Sequence, residues 1–278
     1  MFSKKRQSFT HLKYVVGDQT SSKMQDLLKD SGALIHSLSE KNLSKFEIIN
    51  DELVIEINGI KAYIESEEDL FIINEIFKEH CYGFFSNQKF ILIDIGLNIG
   101  MSSLYFNKLD QILKIYSFEP VPNTFDKCIR NLELNNNPIK IKPFNFGLGN
   151  SNRIDSFSFS EMFKGSVGQI ELSEYKKNTS KELIEVSVKI KEASKIINQI
   201  IKENPGENVL IKMDCEGAEY EILENLKESG VLNSISMLIL EWHGVEFLNK
   251  LDYLENFNCF WNKNSETTGM LYGYNKLN

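Results

Sequence analysis

Residues Phe90 to Ile95 (FILIDI) are apolar on both faces apart from Asp94, the pattern of a strand buried on both sides at the centre of a parallel sheet. Gly96, Asn98 and Gly100 follow at alternate positions, and IGMSSLYFNKL then carries helical periodicity over 99–109. A strand, a glycine turn and a helix N-terminus form the nucleotide-binding corner of a doubly wound fold. The pattern repeats downstream as strand 114–119, helix 122–135, strand 139–145, helix 191–203, strand 209–214, helix 218–228, strand 235–241 and helix 245–255. Two short apolar runs, 257–261 and 269–274, predict a closing antiparallel hairpin at the sheet edge. The sum is an α/β domain with a mostly parallel sheet and helices on both faces.

Ahead of that core, residues 46–66 alternate apolar and polar around Asn50-Asp51 and Asn58-Gly59, the signature of a hairpin or small meander. Residues 67–80 read as an amphipathic helix with Leu70, Ile73, Ile76 and Phe77 on one face, and 23–38 as a helix interrupted near Ser31-Gly32. Residues 1–65 are therefore expected to be an appendage of helix and hairpin, and 66–278 the main domain. The roles open to the appendage are packing on the core, capping a substrate cleft and contacting a second copy in a homodimer. Between the two halves of the core, 151–190 holds Gly165, Gly168 and alternating runs at 153–160 and 182–188. That stretch reads as β-rich material, inserted or antiparallel to the sheet.

Composition narrows the class. With 278 residues, 42% of them hydrophobic, the chain can build one large core. Its net charge of −8, from 39 acidic and 31 basic residues, argues against nucleic acid as the main partner. Lys4-Lys5-Arg6 reads as a solvated tail. Cys81, Cys128, Cys215 and Cys259 form no C-x-x-C pair, so neither a disulfide framework nor a zinc site is expected, and reduced thiols suit a cytoplasmic protein. The first residues show no apolar signal region, and no apolar run approaches the length of a membrane span, so no membrane insertion is expected.

Four strand ends carry candidate chemistry, at the edge where open parallel sheets bind ligands. Asp94 and the backbone from Gly96 to Gly100 can face a cofactor. Glu119, ending the second core strand before Pro120, can accept hydrogen bonds from ribose hydroxyls, as the acidic residue of dinucleotide-binding folds also does. Asp214, Glu216 and Glu219 crowd the end of VLIKMD, where like charges raise pKa values. They could activate a hydroxyl, hold a divalent metal or neutralise a cationic cofactor, and Glu219 could equally serve the first helical turn. Cys215 reads as a small packed residue. Glu241 and His243 leave the last parallel strand on one side, two residues apart. His11, His36 and His80 read as structural.

The ordered set IDIGLNIGMSS, FEPVPNTFDKCIRNLELN, NFGLGN, IKMDCEGAEYEIL and LILEWH resembles the FkbM-type S-adenosylmethionine-dependent methyltransferases over roughly residues 85–250. The resemblance implies a class I methyltransferase fold, Rossmann-like, of seven strands with the last antiparallel. It implies S-adenosylmethionine as cofactor, which the G-x-N-x-G spacing favours over NAD. On this chain Asp94, Gly96, Asn98 and Gly100 would hold the amino acid part, Glu119 the ribose, and the stretch with Asn145, Gly147 and Leu148 would lie near the adenine, with Ser102, Pro120 and Asp214 also on the cofactor. Leu97 departs from the small residue usual in the turn.

The resemblance further implies methylation of a hydroxyl oxygen on a sugar, a glycan precursor or a secondary metabolite. His243 is then the candidate base, oriented by Glu241 or Asp214, with Glu216 and Trp242 on the acceptor side. The rival is a divalent ion, Mg or Mn, held by Asp214, Glu216, Glu241 and His243. Two other functions compete: an NAD-dependent oxidoreductase or epimerase of a sugar nucleotide, and a non-catalytic binding domain. The first lacks G-x-G-x-x-G, and the second leaves every polar position needlessly occupied.

Overall fold

A computed structural model describes residues 21–40, 43–159 and 184–276. The chain opens with α1 (Ser22–Asp30) and α2 (Gly32–Ser39), then a meander of β1 (Ser44–Ile49), β2 (Glu52–Ile57) and β3 (Ile60–Ile64). Helix α3 (Glu67–Phe77) leads into the core, and a capping box fixes its start. Ser66 Oγ accepts from the Asp69 amide at 3.3 Å while Asp69 Oδ2 accepts from the Ser66 amide at 3.0 Å, satisfying two otherwise orphaned donors.

The core runs β4 (Phe90–Ile95), α4 (Met101–Asn107), β5 (Ile112–Phe118), α5 (Pro122–Leu134) and β6 (Ile141–Phe144). Three further strands follow: β7 (Gly147–Gly149), β8 (Arg153–Phe159) and β9 (Ile184–Glu192). Then come α6 (Ala193–Glu203), β10 (Asn208–Met213), α7 (Glu219–Glu228), β11 (Met237–His243), β12 (Phe257–Trp261) and β13 (Thr268–Asn275). The main sheet has the order β12-β13-β11-β10-β4-β5-β6. Its strands are parallel except β13, which is antiparallel to both neighbours. This is the seven-stranded class I arrangement, with β12 and β13 as the expected edge hairpin.

Of the two arrangements open to the β-rich stretch, the inserted one holds: β7, β9 and β8 form a separate three-stranded sheet. Gly165 and Gly168 lie outside the described residues. One expectation needs correction: residues 245–254 form a 3-10 helix, not the α-helix that their periodicity predicts. Helix ends elsewhere differ by a few residues, as in α4, which begins after Gly100 rather than at 99.

Strand alternation divides the interior in two. Phe90, Leu92, Leu210 and Ile239 face α3, α4 and α5, and share one apolar cluster with Met24, Leu28, Leu53 and Ile55 of the N-terminal segment. Ile91, Ile93, Ile211 and Leu240 face the opposite way, onto α6 and α7. The segment ahead of α3 is thus packed continuously on the first face. Each buried Leu or Ile contributes roughly 1.5–3 kcal/mol through burial.

Candidate functional site

A cavity of about 1080 Å³ opens along the C-terminal ends of β4, β5, β10 and β11. Small-molecule pockets usually span about 300–1,000 Å³, so this one can take a cofactor and an acceptor together. Its floor is the turn after β4. Gly96 has φ +85°, and a Cβ there would overlap the Asp214 carbonyl oxygen, so only glycine lets β10 approach. Asn98 has φ +51°, and its amide donates to Glu119 Oε2 at 2.9 Å. Glu119 Oε1 accepts from the Val121 amide at 2.9 Å. Burial outweighs these two hydrogen bonds and pushes the Glu119 carboxyl up to about 7.

Asp94, Gly100 and Asn145 do not line the cavity as expected, and Ser102, which does, spends its hydroxyl on Asp94. Asp94 is 0% exposed, and its Oδ2 accepts from Ser102 Oγ at 2.7 Å and Ser103 Oγ at 2.6 Å. It faces the helix side of the sheet, in register with Ser117 on β5 and Lys212 on β10. Both Asp94 and Ser102 therefore position α4. Gly100 makes room for α5, since a Cβ there would lie 2.8 Å from Cys128 Sγ. Asn145 is exposed, and its Nδ2 braces the Glu119 carbonyl at 3.0 Å. Pro120, Gly147 and Leu148 do line the cavity.

Lys212 sits where floor and far wall meet. It is 1% exposed, donates to the Gly96 carbonyl at 2.8 Å, and lies 3.3 Å from Asp94 Oδ1 and 3.9 Å from Asp214 Oδ2. Burial alone would depress its ammonium, but Asp94 and Asp214 reverse the effect, and its affinity for the proton is raised. Tyr82 lies under it, with Lys212 Nζ 5.2 Å from the ring centroid and the phenol donating to Asp214 Oδ2 at 2.9 Å.

The far wall carries the expected acidic cluster and His243. The partner that orients His243 is Glu219, not Glu241 or Asp214. His243 Nδ1 lies 3.1 Å from Glu219 Oε1, and Nε2 lies 3.5 Å from Glu216 Oε2. Glu219 is fully buried and also accepts from the Cys215 and Gly217 amides at 2.9 and 2.8 Å. These bonds close the turn in which Glu216, at φ +52°, projects into the cavity. Burial works to lower the His243 pKa, but Glu219 and Glu216 together raise it to about 10. Burial pushes Glu216 and Glu241 up to about 8, reinforced by Asp214. Burial, with Asp214 next, takes Glu75 on α3 to about 7. Cys215 is held well above the ordinary thiol range, chiefly by burial, so it stays a protonated, packed thiol.

Trp242 does not reach the acceptor side. It is fully buried among the residues facing α6 and α7, and its ring stacks on Phe247. Period-two alternation puts Glu241 and His243 on the cavity face and sends the residue between them the other way.

A model of the methyltransferase FkbM domain matches residues 94–259. The chain belongs to the FkbM family of S-adenosylmethionine-dependent methyltransferases. Methyltransferase sdnD of Sordaria araneosa is 30% identical over 203 residues, covering 65% of this chain and 78% of that relative. Methyltransferase 1 of Beauveria bassiana is 30% identical over 201 residues, covering 67% and 76%. Among solved structures, an FkbM methyltransferase from Methylobacillus flagellatus is 15% identical with a TM-score of 0.43; the match covers 69% of this chain and 45% of that one, less than half its length.

Three residues that line the cavity escaped the sequence reading: Glu75, Tyr82 and Lys212. Tyr82 and Glu75 precede the family-matched stretch, and no local pattern marks them as facing a ligand. Lys212 was legible as the lone charge within the apolar run VLIKM. Helices α1, α2 and α3 add Leu27, Leu34, Phe71 and Ile72 to the cavity wall, and Phe71 is 51% exposed. Among the described residues no helix is long and apolar enough to cross a membrane.

Proposed function

We propose that this chain moves the methyl group of S-adenosylmethionine onto a hydroxyl oxygen of a small polar acceptor, a sugar, glycan precursor or secondary metabolite. The observation that carries the reading is the Glu219–His243–Glu216 cluster, which opens on the same cavity as the Gly96–Asn98 turn. The residues present suit the cofactor. Asn98 Oδ1 is buried without a hydrogen-bond partner among the described residues, and Glu119 retains free lone pairs toward the cavity, so an ammonium and ribose hydroxyls would both find acceptors.

The cofactor supplies a sulfonium methyl already activated for in-line displacement. The chain must place an acceptor oxygen about 3 Å from that carbon and remove its proton. Glu219 fixes the His243 tautomer and ring plane. The Glu216–His243 pair, facing the cavity, takes the hydroxyl proton. In the ligand-free protein both groups bind protons more tightly than usual, and a positive charge entering the cavity lowers that affinity and readies the pair.

A second reading has one specific support. Asp214, Glu216 and His243 bring ligand atoms within 4.8 Å of one another, an oxygen-and-imidazole set suited to Mg or Mn. In that reading the ion, not the pair, polarises the hydroxyl.

Calorimetry with S-adenosylhomocysteine and NAD tests the cofactor, and S-adenosylhomocysteine alone is expected to bind. Transfer of labelled methyl from S-adenosylmethionine to a panel of sugars, sugar nucleotides and hydroxylated metabolites tests the chemistry. Label recovered on nitrogen or carbon instead of oxygen would sink the reading. His243→Ala is expected to keep S-adenosylhomocysteine affinity and lose about 10²–10⁴-fold in turnover. Full activity after exhaustive chelation would remove the metal reading.

A further inference from the structure

Asp214 stands between the cofactor turn and the acceptor end of the cavity. Its amide donates to the Ile95 carbonyl at 3.0 Å, and its own carbonyl is the atom against which Gly96 closes. Its side chain groups with Glu216 and His243. A carboxylate on a strand end would ordinarily turn freely about its side-chain bonds. Here two cationic or polar groups hold one oxygen, Oδ2: the Tyr82 phenol at 2.9 Å and the Lys212 ammonium at 3.9 Å.

Both clamps are themselves fixed. The Tyr82 ring is buried and stacked 6.1 Å from Phe106, with an interplanar angle of 24°. Lys212 is anchored on the Gly96 carbonyl and Asp94. Burial first, and Asp214 next, raise the Tyr82 pKa well above its ordinary value, so the phenol keeps its proton and remains a donor. Tyr82 is 132 residues from Asp214 in sequence and outside the stretch 94–259 that the family model matches.

We propose that Tyr82 is a positioning residue for methyl transfer, holding Asp214 Oδ2 so that the other carboxylate oxygen faces the junction of cofactor and acceptor. Lys212 is its partner, tying the same carboxylate to the Gly96 carbonyl and so to the turn that seats the cofactor. The inference rests on the methyl-transfer reading above.

The test compares Tyr82→Phe, Asp214→Asn and the double variant in the full chain. Tyr82→Phe is expected to keep its melting temperature and S-adenosylhomocysteine affinity within about twofold, while kcat on the acceptor found in the panel falls about tenfold or more, the scale of a lost hydrogen bond to a charged group. The double variant should be no slower than Asp214→Asn alone, because Tyr82 acts through Asp214. An acceptor-independent readout is the carbon-13 resonance of bound [methyl-13C]S-adenosylmethionine, expected to move in the same direction in both single variants. Asp214→Asn leaves the Tyr82 ring in place and keeps the test informative if Tyr82→Phe folds poorly. An unchanged kcat and methyl resonance in Tyr82→Phe overturns the assignment, as does a fully additive double variant. A wild-type protein that binds neither cofactor form overturns the methyl-transfer reading and this assignment with it.

Discussion

Trp242 lies between Glu241 and His243 in sequence and on the opposite side of β11 in space. Its neighbours reach the cavity, while its indole fills the layer against Phe247 and crowds Gly269. The residue scale thus separates two jobs that adjacent positions share. Trp242→Ala is expected to lower unfolding stability by about 3–5 kcal/mol through the cavity it leaves. Denaturant unfolding measures that loss, and an acceptor KM unchanged in the folded fraction would confirm that the indole never meets substrate. Asp94 makes a similar point. Its carboxylate, which the sequence places at a strand end beside the glycine turn, turns inward to Ser102, Ser103 and Lys212. A strand end sets where a residue starts, while the face and the neighbours decide which way it points.

At the scale of elements, α3 matters because it brings residues from outside the family-matched stretch to the cavity. Glu68, Phe71, Ile72 and Glu75 all line it. The Ser66–Asp69 capping box fixes the first turn of that helix. Ser66→Ala is expected to cost about 1 kcal/mol of stability, read from the shift in denaturation midpoint. It should weaken acceptor binding more than S-adenosylhomocysteine binding, because α3 carries Glu68 and Glu75, which interact electrostatically with Glu216 and Asp214 of the far wall. A drop in cofactor affinity alone would contradict this division. The helix was legible from its periodicity, with Leu70, Ile73, Ile76 and Phe77 all buried as expected. Its part in the cavity was not, because periodicity identifies only the face turned to the core.

For the whole molecule, buried carboxyls concentrate along one cavity, and their shifts make a directional statement about stability. Burial raises Glu119 and Glu75 to about 7 from an ordinary value of 4.5. A raised carboxyl keeps its proton in the folded state while the unfolded chain has already lost it. The stabilisation is therefore complete below about pH 4.5 and disappears as the pH rises through about 7. At about 1.4 kcal/mol per unit, Glu119 accounts for roughly 3 kcal/mol, and the partly exposed Glu75 for less. The melting temperature of the ligand-free protein should fall between pH 5 and 7.5, measured in buffers of equal ionic strength with chelator present. Glu75→Gln should flatten that slope, and a slope unchanged by the substitution would refute the assignment.

The same scale shows how far the sequence reached. The order of strands and helices, the closing hairpin and the four strand ends follow from patterns with periods of two and 3.6, together with the glycine turn, because backbone geometry imposes those periods locally. Gly96, Asn98, Glu119, Asp214, Glu216, Glu241 and His243 could be found that way, and all of them line one cavity. Contacts between distant stretches had no such local signature. Glu219 anchoring His243, Lys212 tying Asp94 to Gly96, Tyr82 holding Asp214 and α1 walling the cavity each depend on which faces meet after packing. A sequence carries its periodicities residue by residue, but the partner of a buried charge is chosen only when the sheet, its register and its covering helices come together.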